Sequence, residues 1–100
     1  MPTLNMSIQH NLLKDDALSR IKGFSDEMKA KYAGQVQDLH EEWEGYCGSF
    51  SLKIMGFALS GKIETTDCAV NFTVEYPFFA SPFKNSVEEK VRETAHSLLA

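Results

Sequence analysis

Fourteen carboxylates, three histidines and two cysteines are the side chains in this 100-residue chain equipped for proton transfer, metal ligation or nucleophilic attack. Their spacing supports none of these. His10, His40 and His96 fall in three separate segments, and no HxxxH, CxxC or mixed Cys/His cluster offers metal-site spacing. Glu41, Glu42 and Glu44 surround Trp43, which suggests paired carboxylates for general acid–base work. On a strand, however, Glu42 and Glu44 share one face, and a solvated face does nothing to make a carboxyl a general acid. Cys47 sits in the glycine-flanked stretch Gly45-Tyr46-Cys47-Gly48, with no local cation to favour its thiolate. Cys68 opens the last predicted strand, where a small packing role is expected. The G-x-S-x-G elbow, the P-loop and the dinucleotide glycine pattern are all missing. The expectation is a protein that is not an enzyme and that uses no metal or cofactor.

What remains is an apolar cluster. Pro77-Phe78-Phe79-Ala80-Ser81-Pro82-Phe83 places three phenylalanines within six positions, with two prolines among them, in what reads as a loop. Such a cluster either closes the core where the last strand meets the last helix or forms an exposed patch for contact. Phe83 fits the buried stripe of the helix that follows. Phe78 and Phe79 are neighbours and must diverge, so one of them is expected at the surface. Phe78, Phe79 and Phe83 are the candidate contact residues.

The elements that carry this loop are read from periodicity. Between Ser49 and Tyr76, Phe50, Leu52, Ile54, Phe57, Leu59, Ile63, Val70, Phe72, Val74 and Tyr76 recur at every second position within each run. Strand side chains alternate between faces, so these are antiparallel strands with one dry and one wet face. Thr3–Gln9 alternates in the same way. Lys14–Ala33 changes to a helical period through Leu18, Ile21, Phe24 or Ser25, Met28 and Tyr32, with Gly34 as its left-handed terminator. Gly23 weakens the middle of that helix by about 1 kcal/mol relative to alanine. Asp38–Gly45 reads as a further strand with Leu39 and Trp43 inward. Phe83, Val87, Val91, Ala95 and Leu98 mark a last helix, begun either by Ser81 as cap with Pro82 following or by the capping box Ser86-x-x-Glu89. The predicted order is β-α-β-β-β-β-α. This is an α+β two-layer sandwich, a mostly antiparallel sheet of about five strands with two amphipathic helices on one face.

Composition sets the class. One hundred residues make one domain, residues 1–100, large enough for a single core. A net charge of −4, with basic residues interspersed among acids, argues against nucleic acid. No apolar stretch approaches the ~18 residues of a membrane span. The N-terminus lacks the charged start and apolar run of a signal peptide, so Cys47 and Cys68 are expected as reduced thiols in a cytoplasm.

Several short motifs add a resemblance. Met1-Pro2-Thr3-Leu4-Asn5, Trp43-Glu44-Gly45, Gly56-x-x-x-x-Gly61-x-Ile63-x-Thr65 and Phe79-Ala80-Ser81-Pro82-Phe83-Lys84 occur in that order along nearly the whole chain. In these the chain resembles the small polyhydroxyalkanoic acid system family, encoded in bacteria beside polyester storage-granule genes. Tyr46-Cys47-Gly48 departs from the Asp-rich turn expected there. The resemblance implies a non-catalytic accessory protein, bacterial and cytoplasmic, whose partner is the polyhydroxyalkanoate granule surface or a granule-associated protein. A different reading is a module enclosing a small hydrophobic ligand between helices and sheet, lined by Met28, Tyr32 and Met55. A homodimer formed through Thr3–Gln9, an edge whose interior lacks the lysines or prolines that blunt edges, is compatible with either.

Overall fold

The computed structural model describes residues 2–54 and 56–100. Five strands form one open antiparallel sheet: β1 (Thr3–Gln9), β2 (Val36–Glu44), β3 (Cys47–Ile54), β4 (Phe57–Thr65) and β5 (Ala69–Glu75). Their order across the sheet is β1-β5-β4-β3-β2, so the first and second strands in the chain occupy opposite edges. The helical segment between them crosses one face, and the last helix, α3 (Lys84–Leu99), packs beside it. The alternation read from the sequence is realised residue by residue. Leu4, Met6 and Ile8 are buried while Asn5, Ser7 and Gln9 are exposed.

The first helix departs from expectation. Instead of one helix over Lys14–Ala33 there are two, α1 (Lys14–Ile21) and α2 (Phe24–Lys31). The Gly23 amide donates to Arg20 O at 3.1 Å, tightening the chain into a turn, and Gly23 O accepts the Glu27 amide to begin α2. Each half then lays its own buried pair on the core, Ala17 with Ile21 and Phe24 with Met28. Burial of those four side chains outweighs the helical continuity lost at glycine. Gly34 takes φ +84° beyond α2, as its place in the sequence suggested.

The core centres on the Phe24 ring. It stands edge-on to Phe50 at 5.9 Å and tilted against Phe72 at 5.3 Å, centroid to centroid. Two glycines on the sheet lie under aromatic rings. Gly48 pairs across the ladder with Trp43, and Gly61 with Phe50. A Cβ at Gly48 would come 2.8 Å from the Trp43 indole, and one at Gly61 would come 2.7 Å from Phe50 Cζ. Both positions therefore need a residue without a side chain.

Two further expectations are corrected. Neither Ser81 nor Ser86 caps α3. Ser81 Oγ donates to Phe78 O at 2.7 Å, and Ser86 Oγ accepts from Lys90 Nζ at 3.1 Å. A 3₁₀ turn, Phe78–Phe83, runs directly into α3, and the Lys84 amide donates to Ser81 O, so the preceding carbonyls do the work of a cap. Cys68 is exposed just before β5 rather than packed, because the adjacent Ala69 and Val70 take the buried positions.

Candidate surface contact site

The aromatic segment is built from its backbone outward. Pro77 holds an extended conformation (φ −65°, ψ 144°) at the end of β5 and starts the 3₁₀ turn. The Ala80 amide donates to Pro77 O at 2.9 Å. Ala80 is the residue the turn directs into the core, at 3% exposure. With about three residues per turn, burying Ala80 leaves Phe78 and Phe79 on the outer side, whereas Phe83, three positions on, follows Ala80's side and is the least exposed of the three. Phe78 is 77% exposed, Phe79 60% and Phe83 45%. All three sequence-predicted contact residues thus lie on the surface. Phe83 stops short of the buried stripe expected for it, since that stripe begins at Val87.

The three rings are not scattered. Phe57, half-buried at the start of β4, lies 5.2 Å from Phe83 and 5.7 Å from Phe79, and Phe79 meets Phe78 edge-on at 6.1 Å. Four rings therefore form one contiguous platform with Phe57 as its floor. Sequence reasoning took Phe57 as an ordinary inward strand residue and missed this role. The available signal was its place at a strand end directly after the Gly56 turn. From Pro77 to Lys84 there is no acidic residue. Among the described residues the other exposed large hydrophobics are Leu13 and Tyr46; Tyr46 donates to Asp15 Oδ1 at 2.5 Å and lies beneath Lys14 Nζ.

The residues considered for chemistry stay apart. Among the described residues no group of three or more His, Cys, Asp or Glu is placed to hold a metal. His10 is buried, accepting the Leu12 amide at Nδ1 (3.1 Å), so its Nε2 donates to Thr66 O (3.0 Å) and ties β1 to the β4–β5 turn. Glu42 and Glu44 are exposed, whereas Glu41 turns inward and accepts from Ser25 Oγ (2.5 Å) and Trp43 Nε1 (2.7 Å). Those bonds satisfy the carboxylate and fasten α2 to β2. For the ligand-enclosing reading, Met28 is packed in the core with its Sδ 3.2 Å from Thr94 Oγ1. Tyr32 instead reaches outward: its hydroxyl donates to Glu93 at 3.4 Å, and partial burial, then the Glu93 charge, raise its pKa. Met55 lies outside the described residues.

The model of the polyhydroxyalkanoic acid system protein family of the granule region matches residues 4–99. The chain belongs to this family. The motifs that suggested it now have structural roles in this polyhydroxyalkanoic acid system protein. Gly56 makes the β3–β4 turn at φ +82°, Gly61 admits the Phe50 ring, and Ile63 and Thr65 are buried. Phe79–Lys84 forms the exposed turn. No curated protein matches the sequence. Among solved structures, a structural-genomics target protein from Nitrosospira multiformis is similar with TM-score 0.62 and 13% identity, covering 99% of this chain and 97% of that one. Truncated norcoclaurine synthase from Thalictrum flavum is similar with TM-score 0.54 and 11% identity, covering 97% and 92%. At these identities the likeness is one of fold. No helix among the described residues is long and apolar enough to cross a membrane.

Proposed function

We propose that this protein is a non-catalytic accessory factor of bacterial polyhydroxyalkanoate metabolism, acting in the cytoplasm by adsorbing to the polyester granule. The observation that carries the reading is the surface platform in which Phe79 and Phe83 pack on Phe57 and Phe78 packs on Phe79. An aliphatic polyester presents alkyl groups and uncharged ester carbonyls. A partner for it needs apolar area and no buried charge, and the segment from Pro77 to Phe83 meets that requirement. Fully burying a phenylalanine is worth roughly 1.5–3 kcal/mol, so two exposed rings suffice for reversible adsorption. Membership of the family supports a polyester as the chemical class of the partner.

The test is adsorption of the purified chain to amorphous polyhydroxybutyrate particles, with hydrophilic cellulose particles as control. Retention on the polyester alone is the expected result. Equal partition to both surfaces, or to neither, would exclude adsorption through an apolar platform. The ligand-enclosing reading has less support, because Phe24, Met28 and their neighbours occupy the space between helices and sheet.

A further inference from the structure

The two edges of the sheet are finished differently. At the β2 edge the ladder shifts register between Gln37 and His40, Asp38 there has φ +52°, and Asp38, Glu42 and Glu44 are exposed. A bulge and a row of charges are standard ways to prevent a sheet edge from pairing. The β1 edge has neither. Its register with β5 is unbroken over seven residues, and its exposed residues Thr3, Asn5, Ser7 and Gln9 are uncharged.

The hydrogen-bond phase of β1 shows what that edge offers. The His10 amide donates to Cys68 O, and the Tyr76 amide donates to Pro2 O. In the register that pairs Met6 with Phe72, the even-numbered residues of β1 therefore exchange both bonds with β5. The odd-numbered residues turn their N–H and C=O groups away from the sheet. For Asn5, Ser7 and Gln9, no described residue meets those groups.

We infer that β1 is a homodimerisation edge, on which a second copy of this chain adds antiparallel through its own β1. Antiparallel pairing is self-complementary about a two-fold axis. With the axis through Met6, Asn5 faces Ser7 of the second copy and Ser7 faces its Asn5, each a pair that exchanges both bonds. The helices agree with this register. A groove of about 560 Å³ beside the edge is lined by Ser7, Ile8 and Gln9 of β1 and by Arg92, Glu93 and His96 of α3. With a rise of about 1.5 Å per helical residue and about 3.4 Å per strand residue, Met6 lies level with roughly residue 90 of α3. That point is midway between Glu88 and Arg92, which pair at 3.2 Å on the helix surface. The same axis sets Glu88 opposite Arg92 of the second copy, so opposite charges face each other across it.

The test is the mass of the full chain by sedimentation equilibrium over a concentration series. Wild type is expected at twice the chain mass. The Ser7 N–H points away from β5, so Ser7→Pro leaves the internal ladder intact while removing a donor at the dimer's centre. Ser7→Lys places the common edge-blunting residue there. Both variants are expected at the single-chain mass, with a dimer dissociation constant raised at least tenfold and an unchanged circular dichroism spectrum. Should Ser7→Pro fail to fold, Ser7→Lys carries the test. Wild type remaining at single-chain mass at the highest concentration would overturn the inference, and so would a folded variant that keeps the doubled mass.

Discussion

At the scale of single residues, Thr65 and Tyr46 show how local polar accounting becomes measurable. Thr65 is 2% exposed, and its Oγ1 finds no hydrogen-bond partner among the described residues. A buried hydroxyl left without a bond costs free energy that a methyl group does not. Thr65→Val is therefore expected to stabilise the fold by about 1 kcal/mol, seen as a rise in Tm of roughly 4–8 °C. Tyr46 is governed by its acceptor. The bond to Asp15, followed by the carboxylate's charge, raises the phenol's pKa from its ordinary 10.0. Its folded value thus exceeds the unfolded one. The contribution of the Tyr46–Asp15 pair to stability is whole below the unfolded value and disappears as pH rises through the folded one. In a tyrosinate absorbance titration, Tyr46→Phe is expected to remove one tyrosine from the late phase to which Tyr32 also contributes. An unaltered late phase in Tyr46→Phe would contradict the assignment to the Asp15 bond.

At the scale of elements, the sheet rests on two aromatic-over-glycine pairs of unequal rigidity. A Cβ at Gly61 would press on Thr73 O as well as the Phe50 ring, and a backbone carbonyl cannot rotate aside. Gly61→Ala is expected to cost on the order of 1–3 kcal/mol, read as a lower urea midpoint with an unchanged m value. Gly48→Ala, whose nearest contacts are atoms of the partly exposed Trp43 ring at the sheet edge, should cost less. The strands were legible in the sequence because one apolar face imposes a period of two, and Leu4, Met6, Ile8, Phe50, Leu52 and Ile54 follow it without exception. The break between α1 and α2 was visible only as a weak glycine. Whether that weakness bends or splits a helix depends on where the sheet receives Ile21 and Phe24, which is tertiary information. The start of α3 was misread because serine caps are local signals, and a preceding 3₁₀ turn makes them unnecessary. The candidate site was half legible. Three phenylalanines within six positions stand out in the sequence, but the inward turn of Ala80 decides that Phe78 and Phe79 are exposed, and Phe57 joins the cluster only through the fold.

At the scale of the whole molecule, the chain is an acidic domain with net charge −4 that presents a ring platform at one end of its sheet. The platform lies by the β3–β4 turn, whereas His10 and Thr66 close the opposite end. The chain belongs to the polyhydroxyalkanoic acid system family, and the proposed function assigns this surface to contact with the polyester. The β1 edge and the platform involve different residues, so dimer formation and adsorption can be separated by mutation. The measurement that addresses the central claim is co-sedimentation of wild type and a Phe78→Ser/Phe79→Ser variant with amorphous polyhydroxybutyrate particles, both proteins first shown folded by circular dichroism. Losing two exposed rings is expected to cost about 3 kcal/mol, on the order of a hundredfold in partition, so wild type pellets and the variant stays in solution. Equal sedimentation of the two proteins would contradict the assignment of granule contact to this platform.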